Sequence, residues 1–118
     1  MDIRQYLPEG FPTIVCLCGS TRFIDVFHEV GLRETAAQRI VLSVGIDTKS
    51  DEDLLRAGQL TLAAKAGLDE QHLRKIDLAD EILVLNVGGY IGESTRREIE
   101  YARRSGKRVR FLEAETTG

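Results

Sequence analysis

Two glycine-rich junctions hold the residues of this chain that could do chemistry. One, Asn86-Val-Gly-Gly-Tyr-Ile-Gly-Glu-Ser-Thr-Arg-Arg-Glu98, runs from an apolar segment through three glycines into a helical pattern with a carboxylate in its first turn. The other, Cys16-Leu-Cys-Gly-Ser-Thr-Arg22, has the same form near the N-terminus. At this earlier junction Gly19 permits a tight turn, Ser20 and Thr21 offer hydroxyls, and the helix start offers unpaired N–H groups at the positive end of its dipole. Arg22 adds a guanidinium fork that can grip a phosphate through two hydrogen bonds. Either an anion is held there, or Ser20 or Thr21 merely caps the helix; the string is not a P-loop.

At the later junction Gly88, Gly89 and Gly92 let the backbone lie close to a ligand, and Tyr90 supplies a stacking face. Asn86 at the strand end and Ser94 and Thr95 at the helix start complete the candidate substrate contacts. Thr95-Arg-Arg-Glu98 also fits a capping box, in which Thr95 caps the helix and Glu98 reaches back to it. If Glu98 instead faces the crevice, it sits about one turn from Ser94 and Thr95, where a sugar carbon would lie with its phosphate held by residues 19–22. The chemistry would then be that of a nucleophilic carboxylate.

The elements that must position these residues read as repeated βα units. Strands are expected over residues 13–18, 40–45, 82–86 and 108–112, the first three apolar enough to be buried on both faces. Helices are expected over residues 23–37, 60–78 and 94–105, the second with Leu60, Ala63, Ala64, Leu68 and Ile76 near helical spacing and a weakening Gly67. This predicts an α/β fold: a Rossmann-like (flavodoxin-like) open parallel sheet of four to five strands with helices on both faces. Parallel strands bring both junctions to one edge of the sheet, where such folds bind ligands. Residues 46–58 read as a polar segment, either a ligand-covering loop or disorder, and residues 1–10 and 114–118 as frayed ends.

With 118 residues, 42% of them apolar, the chain fills one core and not two, so residues 1–118 form a single domain with its core over about 13–112. A net charge of −3 gives no global attraction to nucleic acid or to an anionic membrane. The N-terminal residues lack the apolar run of a signal peptide, and no segment reaches the ~18 apolar residues that span a bilayer, so a cytoplasmic protein is expected. Cys16 and Cys18 alternate along a strand, which is poor disulfide geometry, and are read as buried thiols. With His28 and His72 far apart and the cysteines on a strand, no metal-ligand spacing is present; neither a metal nor a cofactor is expected. The basic run Arg96, Arg97, Arg103, Arg104, Lys107, Arg108 and Arg110 reads mostly as a solvated face, and 6% aromatic residues are too few for a nucleic-acid reader.

Cys18-Gly-Ser-Thr-Arg22, the helix end running from Asp69 to Glu81 and the segment from Gly92 to Ala102 with Glu98-Ile-Glu-Tyr-Ala together resemble the nucleoside 2-deoxyribosyltransferase family. Within it the likeness is closest to deoxynucleoside 5'-monophosphate N-hydrolases, and it runs over residues 14–112. The resemblance implies a Rossmann-like fold, cleavage of a base from a deoxyribose, a nucleophile at Glu98 and a phosphate loop at Gly19, Ser20, Thr21 and Arg22. It also implies a homodimer or higher homo-oligomer with sites near the interface. The phosphoribohydrolases that release cytokinin bases share a partial echo in Gly88-Gly89 and Thr95 to Glu98. Two departures stand out: His72 occupies the position where the family carries an aspartate, and Arg96 and Arg97 replace small residues.

Protonation of a leaving base needs an acid whose pKa lies near neutral, for which His72, Asp77 and Asp80 are the candidates. Asp77 reads better as a solvated helix residue, and Asp80 at a helix-to-strand turn could only pair locally. Two functions follow: an enzyme cleaving or exchanging the N-glycosidic bond of a nucleoside or its 5'-monophosphate, with Glu98, His72 and Asp80 as catalytic candidates, or a nucleotide-binding module of the same fold without turnover.

Overall fold

The computed structural model describes residues 2–44, 58 and 61–114. Four strands, β1 (Ile14–Cys18), β2 (Ile40–Leu42), β3 (Glu81–Val84) and β4 (Arg108–Phe111), form an all-parallel sheet in the order β2-β1-β3-β4. Three α-helices join them among the described residues: α1 (Ile24–Ala36), α2 (Leu62–Leu78) and α3 (Glu93–Arg104). This is the expected α/β, Rossmann-like architecture, with each strand within a few residues of its predicted span.

The order of the strands dictates which helix covers which face. The chain steps from β1 to β2 in one direction and then back past β1 to β3, and right-handed crossovers put the two connections on opposite faces. Phe27 and Val30 of α1 accordingly pack with Val15, Leu17, Leu83 and Leu85. Ile76 of α2 and Ile99 and Ala102 of α3 pack with Cys16, Cys18, Ile82 and Val84. Alternate residues of β1 thus point to different helices, and both cysteines point to α2 and α3. The reversal between β1 and β3 is the switch point of the sheet, where a crevice opens at the carboxyl ends of the strands.

Several expectations need correction. β2 is not buried on both faces: Ile40 is exposed and Val41 and Leu42 are half-buried, because β2 pairs with β1 alone. The N-terminal half of α2 does not pack as its apolar spacing suggested, since Leu62, Ala63, Ala64 and Leu68 are exposed and only His72 and Ile76 are buried. Thr61 starts that helix instead, its hydroxyl accepting from the Ala64 N–H at 3.0 Å. Leu60 and nearly all of the polar segment 46–58 lie outside the described residues.

The described N-terminal residues, 2–10, are not frayed. Ile3–Tyr6 forms a 3-10 turn, and Ile3, Leu7 and Phe11 pack against the core. Arg4 holds them there, with Nη1 donating to the Phe11 carbonyl at 2.8 Å and Nε to Asp80 at 3.0 Å. Nor is the basic run only a solvated face. Arg110 of β4 pairs with two buried carboxylates, Glu34 of α1 and Glu81 of β3, the latter at 3.0 Å. One guanidinium there compensates two desolvated charges. No helix among the described residues is long and apolar enough to cross a membrane.

Candidate active site

The local structure at the start of α3 decides what Glu98 does. Gly92, not Thr95, is the N-cap, and the Arg96 N–H bonds the Gly92 carbonyl at 2.9 Å. Thr95 is therefore the third helical residue and buried, and Glu98 is the sixth, in the second turn. The capping box is not formed, and Glu98 lies deeper in the helix than its expected place in the first turn. Three residues on from Thr95, it shares the inward face of α3. Its side chain is only 13% exposed, with Oε1 3.9 Å from Nε2 of His72.

His72 comes from α2, the other helix on this face. Its Nε2 also lies 3.4 Å from Cys18 Sγ and 3.6 Å from Cys16 Sγ. Sequence reasoning missed this cluster. It put both sulfurs on one face of a strand, but the helix covering that face, and hence His72, depends on the crossovers. Metal-ligand spacing along the chain gave no sign of it, because the donors come from a strand and a helix more than fifty residues apart. Both thiols are free and fully buried.

Burial pushes the Glu98 carboxyl up to about 7, against the opposing pull of His72. Burial disfavours the imidazolium too, yet the hydrogen bond to Cys16 and the charges of Cys16 and Glu98 outweigh it and raise His72. Cys16 is the more acidic thiol, lowered by a hydrogen bond from Cys18 and by His72, while that same bond and burial raise Cys18. The site is thus a carboxyl group, an imidazole and the Cys16 thiol with ionisations moved by burial and by one another, beside a Cys18 thiol that its bond to Cys16 and burial hold protonated.

The two junctions meet through Tyr90. The Arg22 guanidinium sits 4.5 Å from the centre of the Tyr90 ring, and Phe23 approaches it edge-on at 6.1 Å. Arg22 therefore covers a face of Tyr90 that was expected to be open for stacking. Ser20 caps the short turn Thr21–Phe23, its hydroxyl accepting from the Arg22 N–H at 3.3 Å, so the capping role holds at this position. Gly19 is needed for close packing, since a Cβ there would lie 3.1 Å from Leu85 Cβ. Gly88 and Gly89 both have positive φ and carry the chain out of β3. Gly92 faces Tyr90, whose hydroxyl would lie 3.3 Å from an added Cβ. Ser94 is half-buried, its hydroxyl 3.4 Å from Arg97.

Other candidates fall away. Asn86 is buried and exchanges hydrogen bonds of 2.9 Å with the Glu113 backbone, which makes it a tie between β3 and the segment after β4 rather than a free substrate contact. Asp80 precedes β3 at the opposite edge of the sheet, where it pairs with Arg4 and accepts from the Ile14 N–H at 2.8 Å. Burial opposes its ionisation, but those bonds hold its carboxyl below the usual value, the wrong direction for an acid at neutral pH. Asp77 likewise accepts from the Tyr101 hydroxyl at 2.6 Å and pairs with Arg74. Both line a concavity of about 370 Å³ on that far edge. His28 is exposed on α1.

Compared with known protein families, with curated proteins and with solved structures, the chain finds no match.

Proposed function

We propose that this protein cleaves or exchanges the N-glycosidic bond of a nucleoside or its 5'-monophosphate through a covalent intermediate on Glu98. The observation that carries the reading is the release of Glu98 from any capping role and its position on the inward face of α3, at the switch point of the sheet, beside His72. The turn at residues 19–22, one strand away on the same edge, supports a phosphate contact, and the likeness to nucleoside 2-deoxyribosyltransferases supports the bond attacked.

In the first step a Glu98 oxygen bonds to C1' while the C1'–N bond breaks; its electron pair leaves with the base, which takes up a proton. In the second step water attacks C1', gives a proton to a neighbouring base and restores the carboxylate, or the nitrogen of another base attacks and gives exchange. His72 lies 3.9 Å from Glu98, and with Asp80 at the far edge it inherits the acid role. The same reading takes the protein to be a cytoplasmic homodimer; light scattering of the purified chain reads its mass.

The test is a chromatographic screen against ribo- and deoxynucleosides and their 5'-monophosphates, alone and with a free acceptor base. Base release or exchange that disappears in Glu98→Gln is the expected result. Failure of every substrate to react, with nucleotide binding that weakens in Arg22→Ala, would replace the enzyme by a binding module. The specific observation on that side is His72, which stands where the resembling family carries an aspartate.

A further inference from the structure

We infer that Cys16, Cys18 and His72 form a binding site for a thiophilic divalent cation of the zinc class, with Glu98 at its open side. The one sulfur of each cysteine and a ring nitrogen of His72 all lie within 4.8 Å of one another, and all three residues are buried. A tetrahedral zinc with bonds of about 2.3 Å to sulfur and about 2.0 Å to nitrogen separates those ligands by about 3.6 Å. The two observed S···N separations are 3.4 and 3.6 Å, within a few tenths of an ångström of what a bound ion requires.

Charge and donor type give the same answer as geometry. Two thiolates and a neutral imidazole cancel the charge of a divalent ion, so the complex adds no net charge to a buried site. Sulfur and imidazole donors select zinc and its chemical relatives over magnesium and calcium, which take oxygen ligands. Fixed backbone supports both cysteines, since they lie in the inner strand β1, where Cys16 pairs with Leu42 and Ile82 and Cys18 pairs with Val84. Three protein ligands leave one tetrahedral position, and Glu98, 3.9 Å from Nε2 of His72, is the group beside it. The ion and the glycosidic reaction would compete for Glu98, so zinc would inhibit turnover. That consequence rests on the proposed activity, but the site itself does not.

The test is a titration of the full-length, reduced, chelator-treated protein with Co²⁺, followed by absorption. The expected result is one Co²⁺ per chain, with thiolate-to-cobalt charge transfer in the near ultraviolet and the visible bands of a tetrahedral ion. Zn²⁺ should bleach both, and Mg²⁺ should not. Cys18→Ser and His72→Ala should each weaken binding more than about tenfold, with folding checked by circular dichroism. Glu98→Gln should keep the charge-transfer band and alter the visible bands. Absence of charge transfer in the wild type, or bands that survive unchanged in His72→Ala, would overturn the site. Neither readout involves base release, so failure of the enzymatic reading leaves the cobalt spectrum as predicted, and failure of the metal site leaves the substrate screen unaffected.

Discussion

Replacing Glu98 with glutamine should make the metal-free protein more stable above neutral pH while removing its proposed activity. In the unfolded chain the carboxyl ionises at its ordinary value of 4.5; in the folded chain burial moves ionisation to about 7. Below 4.5 both states are protonated and Glu98 contributes nothing to the pH dependence. As pH rises from there the unfolded state ionises first, and stability falls until the folded group ionises near 7. Between those two values, at 1.36 kcal/mol per tenfold change in proton activity, the cost reaches about 3 kcal/mol on the alkaline side. Glutamine resembles the protonated acid in shape and carries no such cost. Urea unfolding of wild type and variant in chelator at about pH 4 and about pH 8 reads it together with the accompanying change at His72, which loses the Glu98 charge in the variant, while titrations remote from the site cancel in the difference. The variant's advantage should grow by about 3 kcal/mol between the two conditions. A difference that does not change with pH, or a variant less stable at pH 8 as loss of a helix cap would produce, refutes the inward, desolvated placement of Glu98.

Arg110→Met should destabilise the fold by about 3 kcal/mol in urea unfolding, because it leaves Glu34 and Glu81 buried with the longer contacts to Arg33, Arg39 and Arg108. Adding Glu81→Gln should recover part of that loss, and no recovery would mean that the guanidinium acts by packing alone. Gly19→Ala should cost about 1–3 kcal/mol, since its Cβ would press on Leu85 Cβ at 3.1 Å and on the Leu85 carbonyl at 3.3 Å. An unchanged unfolding midpoint would show that β1 and β3 can separate at no cost. Asp80 adds acid sensitivity: its folded carboxyl is held below the ordinary 3.8, so its contribution is complete above that value and is lost as pH falls through the lowered one. Asp80→Asn should be less stable than wild type at pH 7 and lose that part of the acid transition, measured by thermal unfolding against pH.

Much of the fold is legible along the chain because its signals are local. Apolar runs such as Val15 to Cys18 and Ile82 to Val84 mark parallel strands, and the glycines after them mark the turns into helices. Ends were less legible. β2 is three residues long because the sheet stops there, and the exposed leucines of α2 kept a helical spacing that no neighbour uses. Arg4 read as part of a frayed end and Arg110 as part of a solvated face, since nothing beside them in sequence names the carboxylates they pair with: Asp80 and Glu34 are each 76 residues away and Glu81 is 29.

The same division runs through the site. Sequence alone determined that two glycine-rich turns follow β1 and β3, that Cys16 and Cys18 share one face, and that Glu98 lies in the helix after the second turn. Each of these follows from the chain's local geometry, with its periods of two residues in strands and 3.6 in helices. Tertiary structure decided the rest: that Gly92 caps α3 and so turns Glu98 inward, and that the back-crossing from β2 to β3 lays α2 over the cysteines. The meeting of His72 with two thiols and a carboxylate is set by strand order and crossover hand, which depend on the packing of the whole sheet and on no single stretch of residues.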